Sequence, residues 1–225
     1  SDGTWMPLPY SKLEVENISQ LFEKKGLKSQ SFLYETASKS NLERQIGNSR
    51  FVLIAAHGIV NNEYPELSGL ILAGDETRIP RFRDKLSNNE HPVSNNELLR
   101  TSNESLSTNL QQDCILNMKE VAMIPMSADL VVLSSCESGI GELHKGEGMM
   151  AVNRGFLASG AKNVVSTLFK VNDKASSELT TLLFQYILEG ENYATALQRA
   201  KLELLKKEGM GPKAWSGFVL FGVGR

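Results

Sequence analysis

Leu130-Val131-Val132-Leu133-Ser134-Ser135-Cys136 is the stretch on which the fold turns. Four apolar residues in a row, with no polar alternation, describe a strand covered on both faces, as in a parallel sheet. Phe51-Val52-Leu53-Ile54-Ala55-Ala56 has the same character and ends at His57-Gly58. Asn163 to Leu168 is a third such strand, and Phe218-Val219-Leu220-Phe221 closes the sheet. Ser31 to Glu35 and Leu70-Ile71-Leu72 read as shorter strands.

Amphipathic helices fall between these strands. Ser11 with Glu14, and Ser40 with Glu43, have the spacing of capping boxes that start helices. The first helix carries Ile18, Leu21 and Phe22 on one face and stops near Gly26; the second ends near Gly47. Leu116, Val121 and Ile124 suggest a short helix. Further helices are expected from about Gly148 to Ser159, with Gly160 at the end, from Lys174 to Glu189, and from Tyr193 to Glu208. The last two present Leu179, Leu183, Tyr186 and Ile187, then Leu197, Ala200, Leu204 and Leu205. Buried strands alternating with amphipathic helices make an α/β domain with a mainly parallel sheet.

The 225 residues suffice for one large domain. Hydrophobic residues are 41% and charged residues 22%, as in an ordinary globular domain. A net charge of -2 offers no basic field for nucleic acid or an acidic membrane. No apolar run reaches the roughly 18 residues of a membrane span. Two cysteines, Cys114 and Cys136, are no disulfide framework and fit a reducing, cytoplasmic setting. Residues 74–112 stand apart: asparagines and serines crowd them, and they lack apolar surface to offset ordering. They read as one long exposed insertion in an otherwise single domain spanning 1–225.

Two of the buried strands end in reactive groups. His57 follows one and Cys136 the other. Ligands collect at the carboxyl ends of strands in open parallel sheets, so neighbouring strands would bring imidazole and thiol together. A cysteine thiol near pKa ~8.5 is mostly protonated at neutral pH, and a nearby histidine or helix start favours its thiolate. The N–H groups of Gly58 and Cys136 would lie close to a reacting carbonyl, as an oxyanion hole requires. Taken singly, a strand-end cysteine is more often a small buried hydrophobe, and a histidine before glycine a turn residue. Glu137, Glu147, His91 and His144 read as solvated or capping groups, and Cys114 as a bystander. No phosphate loop, dinucleotide fingerprint, zinc spacing or Gly-x-Ser-x-Gly elbow is present.

The segment Asp129 to Gly139 resembles the nucleophile segment of CHAT domains, bacterial clan CD relatives of caspases and separases, often attached to tetratricopeptide repeats. The likeness continues through Leu8-Pro9-Tyr10, Phe51 to Gly58, Gly146-Glu147-Gly148, Arg154 to Leu157, Gly160 to Val165, Leu168 to Asp173 and Trp215 to Gly222. It implies a caspase-like three-layer sandwich, a mainly parallel central sheet flanked by helices. It implies a cysteine endopeptidase that needs no cofactor and acts on a specific protein substrate. Regulation by a repeat segment or partner, and segments upstream of Leu8, belong to the same resemblance. Cys136 would be the nucleophile, His57 the acid/base, and the Gly58 and Cys136 N–H groups the oxyanion hole. Asp173 matches an acidic residue that in separases holds a basic side chain before the cut bond. Its position before a helix fits an N-cap equally well. The caspase signature around the cysteine is absent, and the His57-to-Cys136 spacing exceeds the caspase value of about 50. The insertion at 74–112 accounts for that length; it reads as a gate to the cleft or as a segment itself cut. The competing reading is a catalytically idle interaction scaffold.

Overall fold

The computed structural model describes residues 8–61, 64–73, 114–134, 147–207 and 211–224. Four strands form the central sheet: β1 (Phe51–Ile54), β5 (Leu130–Leu133), β6 (Asn163–Thr167) and β7 (Phe218–Gly222), in the order β1-β5-β6-β7. β1 and β6 each run parallel to β5, and β7 is antiparallel to β6. β2 (His57–Ile59), β3 (Gly69–Ile71) and β4 (Ile115–Asn117) make a second, antiparallel sheet.

Side-chain alternation along the strands divides the core in two. Leu130, Val132 and Val165 face one way and meet α1 (Ser11–Lys24), α5 (Asp173–Leu188) and α6 (Tyr193–Leu205) through Ile18, Phe22, Leu179, Leu183 and Leu197. Val131, Leu133 and Val164 face the other way. They meet Ile46 of α2 (Lys39–Ile46), Val121 of α3 (Met118–Ala122) and Val152 and Phe156 of α4 (Glu147–Ala158). All four residues of β5 are 0% exposed. Their burial contributes about 1.5–3 kcal/mol per aliphatic side chain, and the strand is packed on both faces. The result is the expected α/β architecture of three layers, with the mainly parallel sheet in the middle. Among the described residues, no helix is long and apolar enough to cross a membrane.

Several local expectations are corrected. Ser11 starts α1, but no capping box forms there: Ser11 Oγ donates to the Leu8 carbonyl at 2.8 Å, and Glu14 turns inward, 1% exposed. Tyr10 takes the N-cap position without a side-chain bond. The N-cap of α2 is Ser38 rather than Ser40; its Oγ accepts from the Asn41 N–H. Ser31 to Glu35 forms no strand. The Thr36 hydroxyl accepts from the Leu33 N–H and donates to the Leu33 carbonyl, closing a tight turn that competes with a ladder. Leu116 belongs to β4, not to the helix of Val121. Leu205 is 53% exposed, because α6 ends there. The insertion at 74–112 lies outside the described residues.

Gly160 ends the connection after α4 with φ +113, where a Cβ would stand 2.1 Å from the Met126 carbonyl oxygen. Gly26, after α1, has φ +70 but nothing within 4 Å. Gly26→Ala therefore suffers the left-handed conformation alone, about 1 kcal/mol. Gly160→Ala adds a backbone clash and is expected to cost about 3 kcal/mol or more. Urea midpoints compare the two; equal shifts would show that the Met126 contact yields freely.

Candidate functional site

β1 and β5 are direct neighbours in parallel register, with Ile54 opposite Leu133. His57 follows Ile54 by three positions, and Cys136 follows Leu133 by three. The chain thus leaves both strands at the same end of the sheet, the carboxyl end where such folds bind ligands. His57 does not sit in a loop, as its place after the apolar run suggests. It opens β2 and pairs with Ile71 of β3. Gly58 is buried beside it, opposite Leu70. Cys136, Glu137, His91 and His144 lie outside the described residues. Cys114 is half-buried just before β4, whose Ile115 pairs with Ile71, the partner of His57 on β2.

Asp173 is not the N-cap of α5. Asn172 is: its side chain accepts from the Ala175 N–H at 3.1 Å. Asp173 occupies the first helical position, where a carboxylate faces the positive end of the helix dipole. Its Oδ2 accepts from the Tyr10 N–H at 2.9 Å, which pins the chain before α1 to the start of α5. A carboxylate has further lone pairs to offer beyond that one bond.

Glu14 is a residue that the capping-box spacing misplaces at the surface. Ser134 Oγ, on the residue after β5, donates to Glu14 Oε2 at 3.0 Å. Thr180 Oγ1 of α5 lies 2.6 Å from Glu14 Oε1. Burial pushes the Glu14 carboxyl up to about 7, against the two hydroxyls, which favour its ionised form; the Asp173 charge pushes it further up. The sequence signal was an acidic residue one turn from Ile18 on the same apolar face.

The sign of the resulting pH dependence follows. Between about pH 4.5 and 7 the unfolded chain releases this proton while the folded chain keeps it, so stability falls as pH rises through that window. The loss is complete above pH 7 and on the order of 3 kcal/mol at 1.36 kcal/mol per unit. Glu14→Gln removes the ionisable group, so its midpoint advantage over wild type should grow from pH 4.5 to 7 and then level off. Thermal unfolding across that range checks it; parallel curves would mean that Glu14 never carries the burden of its charge.

A different cluster sits at the opposite end of the sheet. Asp129, just before β5, accepts from Arg50 Nε at 2.5 Å and Lys162 Nζ at 2.7 Å. Hydrogen bonds from Lys162 and then Arg50 hold its carboxyl below the usual carboxylate range. These largely exposed cations tie together the entries to β1, β5 and β6, and they are remote from the strand exits.

Tetratricopeptide repeat protein 28 of mouse is 27% identical over 225 residues, which cover 97% of this chain and 9% of that protein. The human protein of the same name is 26% identical, covering 97% of this chain and 8% of that protein. The chain thus spans less than a tenth of the length of these relatives. The CHAT domain family model matches residues 1–223. With that match over nearly its whole length, and an α/β sandwich of the caspase-like kind beneath it, the chain belongs to the CHAT domain family, a caspase-like protease family.

Proposed function

We propose that this chain is a cysteine endopeptidase acting on a specific protein substrate. The observation that supports the reading is the β1–β5 register: Ile54 and Leu133 are opposite each other on adjacent parallel strands, and His57 and Cys136 each follow by three positions in the sequence. The Cys136 thiolate attacks the scissile carbonyl carbon, and the C=O electron pair moves onto oxygen. The N–H groups of Gly58 and Cys136 hold that oxyanion. His57 protonates the leaving amine as the C–N bond breaks. Water then hydrolyses the thioester, releasing the carboxylic acid and the thiol. Asp173 receives a basic side chain before the cut bond through a charge-assisted contact.

The relatives are named for tetratricopeptide repeats. That supports a repeat segment or repeat partner as the regulator of this domain in a cytoplasmic setting. The segment 74–112, rich in serine and asparagine, is a candidate for cleavage during activation. Intact mass after exposure to an arginine-based peptide electrophile tests the central reading. One adduct, mapped to Cys136, supports a working protease site. Labelling of Cys136 no faster than Cys114 would point to the idle scaffold instead.

A further inference from the structure

The buried carboxyl of Glu14 has no part in the dyad chemistry, yet it touches the strand that carries the nucleophile. Ser134, its partner, stands two positions before Cys136. Its other partner, Thr180, lies on α5 on the same face as Asp173, seven positions away and so two helical turns. Glu14 therefore joins the exit of β5 to the helix that begins with Asp173.

Counting protons shows which form of Glu14 fits. Thr180 Oγ1 lies within hydrogen-bond distance of three oxygens: Glu14 Oε1 at 2.6 Å, the Ser176 carbonyl at 2.9 Å and the Ser177 carbonyl at 3.2 Å. A hydroxyl has a single proton to donate. If Glu14 is ionised, its Oε1 and the helix carbonyl compete for that proton. If Glu14 carries a proton on Oε1, it donates to Thr180 Oγ1, Thr180 donates to the Ser176 carbonyl, and Ser134 donates to Glu14 Oε2. The neutral form uses every short contact. The ionised form leaves a negative charge, 1% exposed, held by neutral hydroxyls alone. Among the described residues, no cation pairs with it.

The surroundings act in the same direction. From α5, Asp173 is the charged group whose field reaches Glu14, and it opposes ionisation. The same face of α5 otherwise presents Ser176, Ser177 and Thr180, all buried. β5 presents Ser134. On α1 itself, the nearest charges, Lys12 and Glu16, pair with each other at the surface.

We propose that Glu14 is a proton-dependent positioning residue, whose neutral carboxyl clamps the exit of the nucleophile strand at Ser134 to Thr180 of α5. Loss of the proton loosens the clamp at Ser134, two positions before Cys136, and slows reaction with substrate. The effect on catalysis rests on the cysteine-protease reading above; the clamp itself does not.

The test follows Cys136 in wild type and Glu14→Gln, with peptide mapping to separate it from Cys114. Gln is a neutral acid mimic: its amide N–H faces Thr180 and its carbonyl accepts from Ser134. Two reagents are compared between pH 6 and 8.5, the arginine-based peptide electrophile and iodoacetamide. Both need the thiolate, so their rate ratio reports alignment. The ratio is expected to fall about tenfold with rising pH in wild type and to stay within twofold in Glu14→Gln. Superimposable profiles would overturn the clamp. Should Glu14→Gln not fold, Thr180→Val serves. It removes the α5 partner that the neutral carboxyl holds, so the fall of the ratio with pH should be lost; a fall as steep as in wild type overturns the proposal. If the peptide electrophile never labels Cys136, the protease reading fails. The clamp then stands or falls on the unfolding midpoints: an advantage of Glu14→Gln that grows between about pH 4.5 and 7 keeps it, and parallel curves overturn it.

Discussion

Cys136→Ala is expected to abolish adduct formation with an arginine-based peptide electrophile, and His57→Ala to slow it by about 10²- to 10⁴-fold. The two effects differ in kind. Without the thiol no covalent bond can form, so nothing of the reaction remains. Without the imidazole, the thiolate fraction and the proton for the departing group are impaired, but a nucleophile is still present. The order of severity follows from that chemistry, and the strand register gives it a structural basis. In the sequence each residue follows its paired strand by three positions, which is the basis of the proposed dyad. His57 opens β2 but belongs to neither core cluster, so circular dichroism of His57→Ala should match wild type. Equal labelling in all three proteins would place the reactive thiol elsewhere, at Cys114, and remove the dyad.

The strands that define this site were legible because they are buried on both faces. Continuous apolar runs such as Leu130 to Leu133 admit few other readings, and each central strand appears within a residue or two of its expected bounds. What the sequence obscured was polar and local. Ser11-x-x-Glu14 has the spacing of a capping box, and nothing in that spacing tells a surface carboxylate from one turned into the core. Only the positions of Ser134 and Thr180, 120 and 166 residues away along the chain, make an interior place for it tolerable. Likewise Ser38 and Ser40 both suit an N-cap. The choice fell to Ser38 because Asn41, three residues on, also bonds to the Thr36 carbonyl and fixes the turn before the helix. Short segments failed for a related reason. Ser31 to Glu35 has strand-like residues, but one threonine hydroxyl satisfies its backbone locally.

Asp173→Asn is expected to lower kcat/KM for arginine and lysine substrates by roughly 30- to 150-fold while leaving substrates cut after neutral residues unchanged. That range corresponds to the loss of about 2–3 kcal/mol for a hydrogen bond to a charged group. Asparagine is the informative replacement because the structure gives Asp173 a second task. Its Oδ2 accepts from the Tyr10 N–H, and an asparagine carbonyl can still do so. The start of α5 is also spared, since Asn172 and not Asp173 caps it. The substitution therefore removes the charge and keeps the hold on the chain before α1. Asp173→Ala removes both and should in addition lower the unfolding midpoint. A specificity role predicts that asparagine and alanine lose basic substrates equally, with only alanine losing stability. If asparagine instead leaves basic substrates as fast as in wild type, Asp173 acts only through the Tyr10 bond, and the carboxylate that selects the residue before the cut must be sought elsewhere in the cleft.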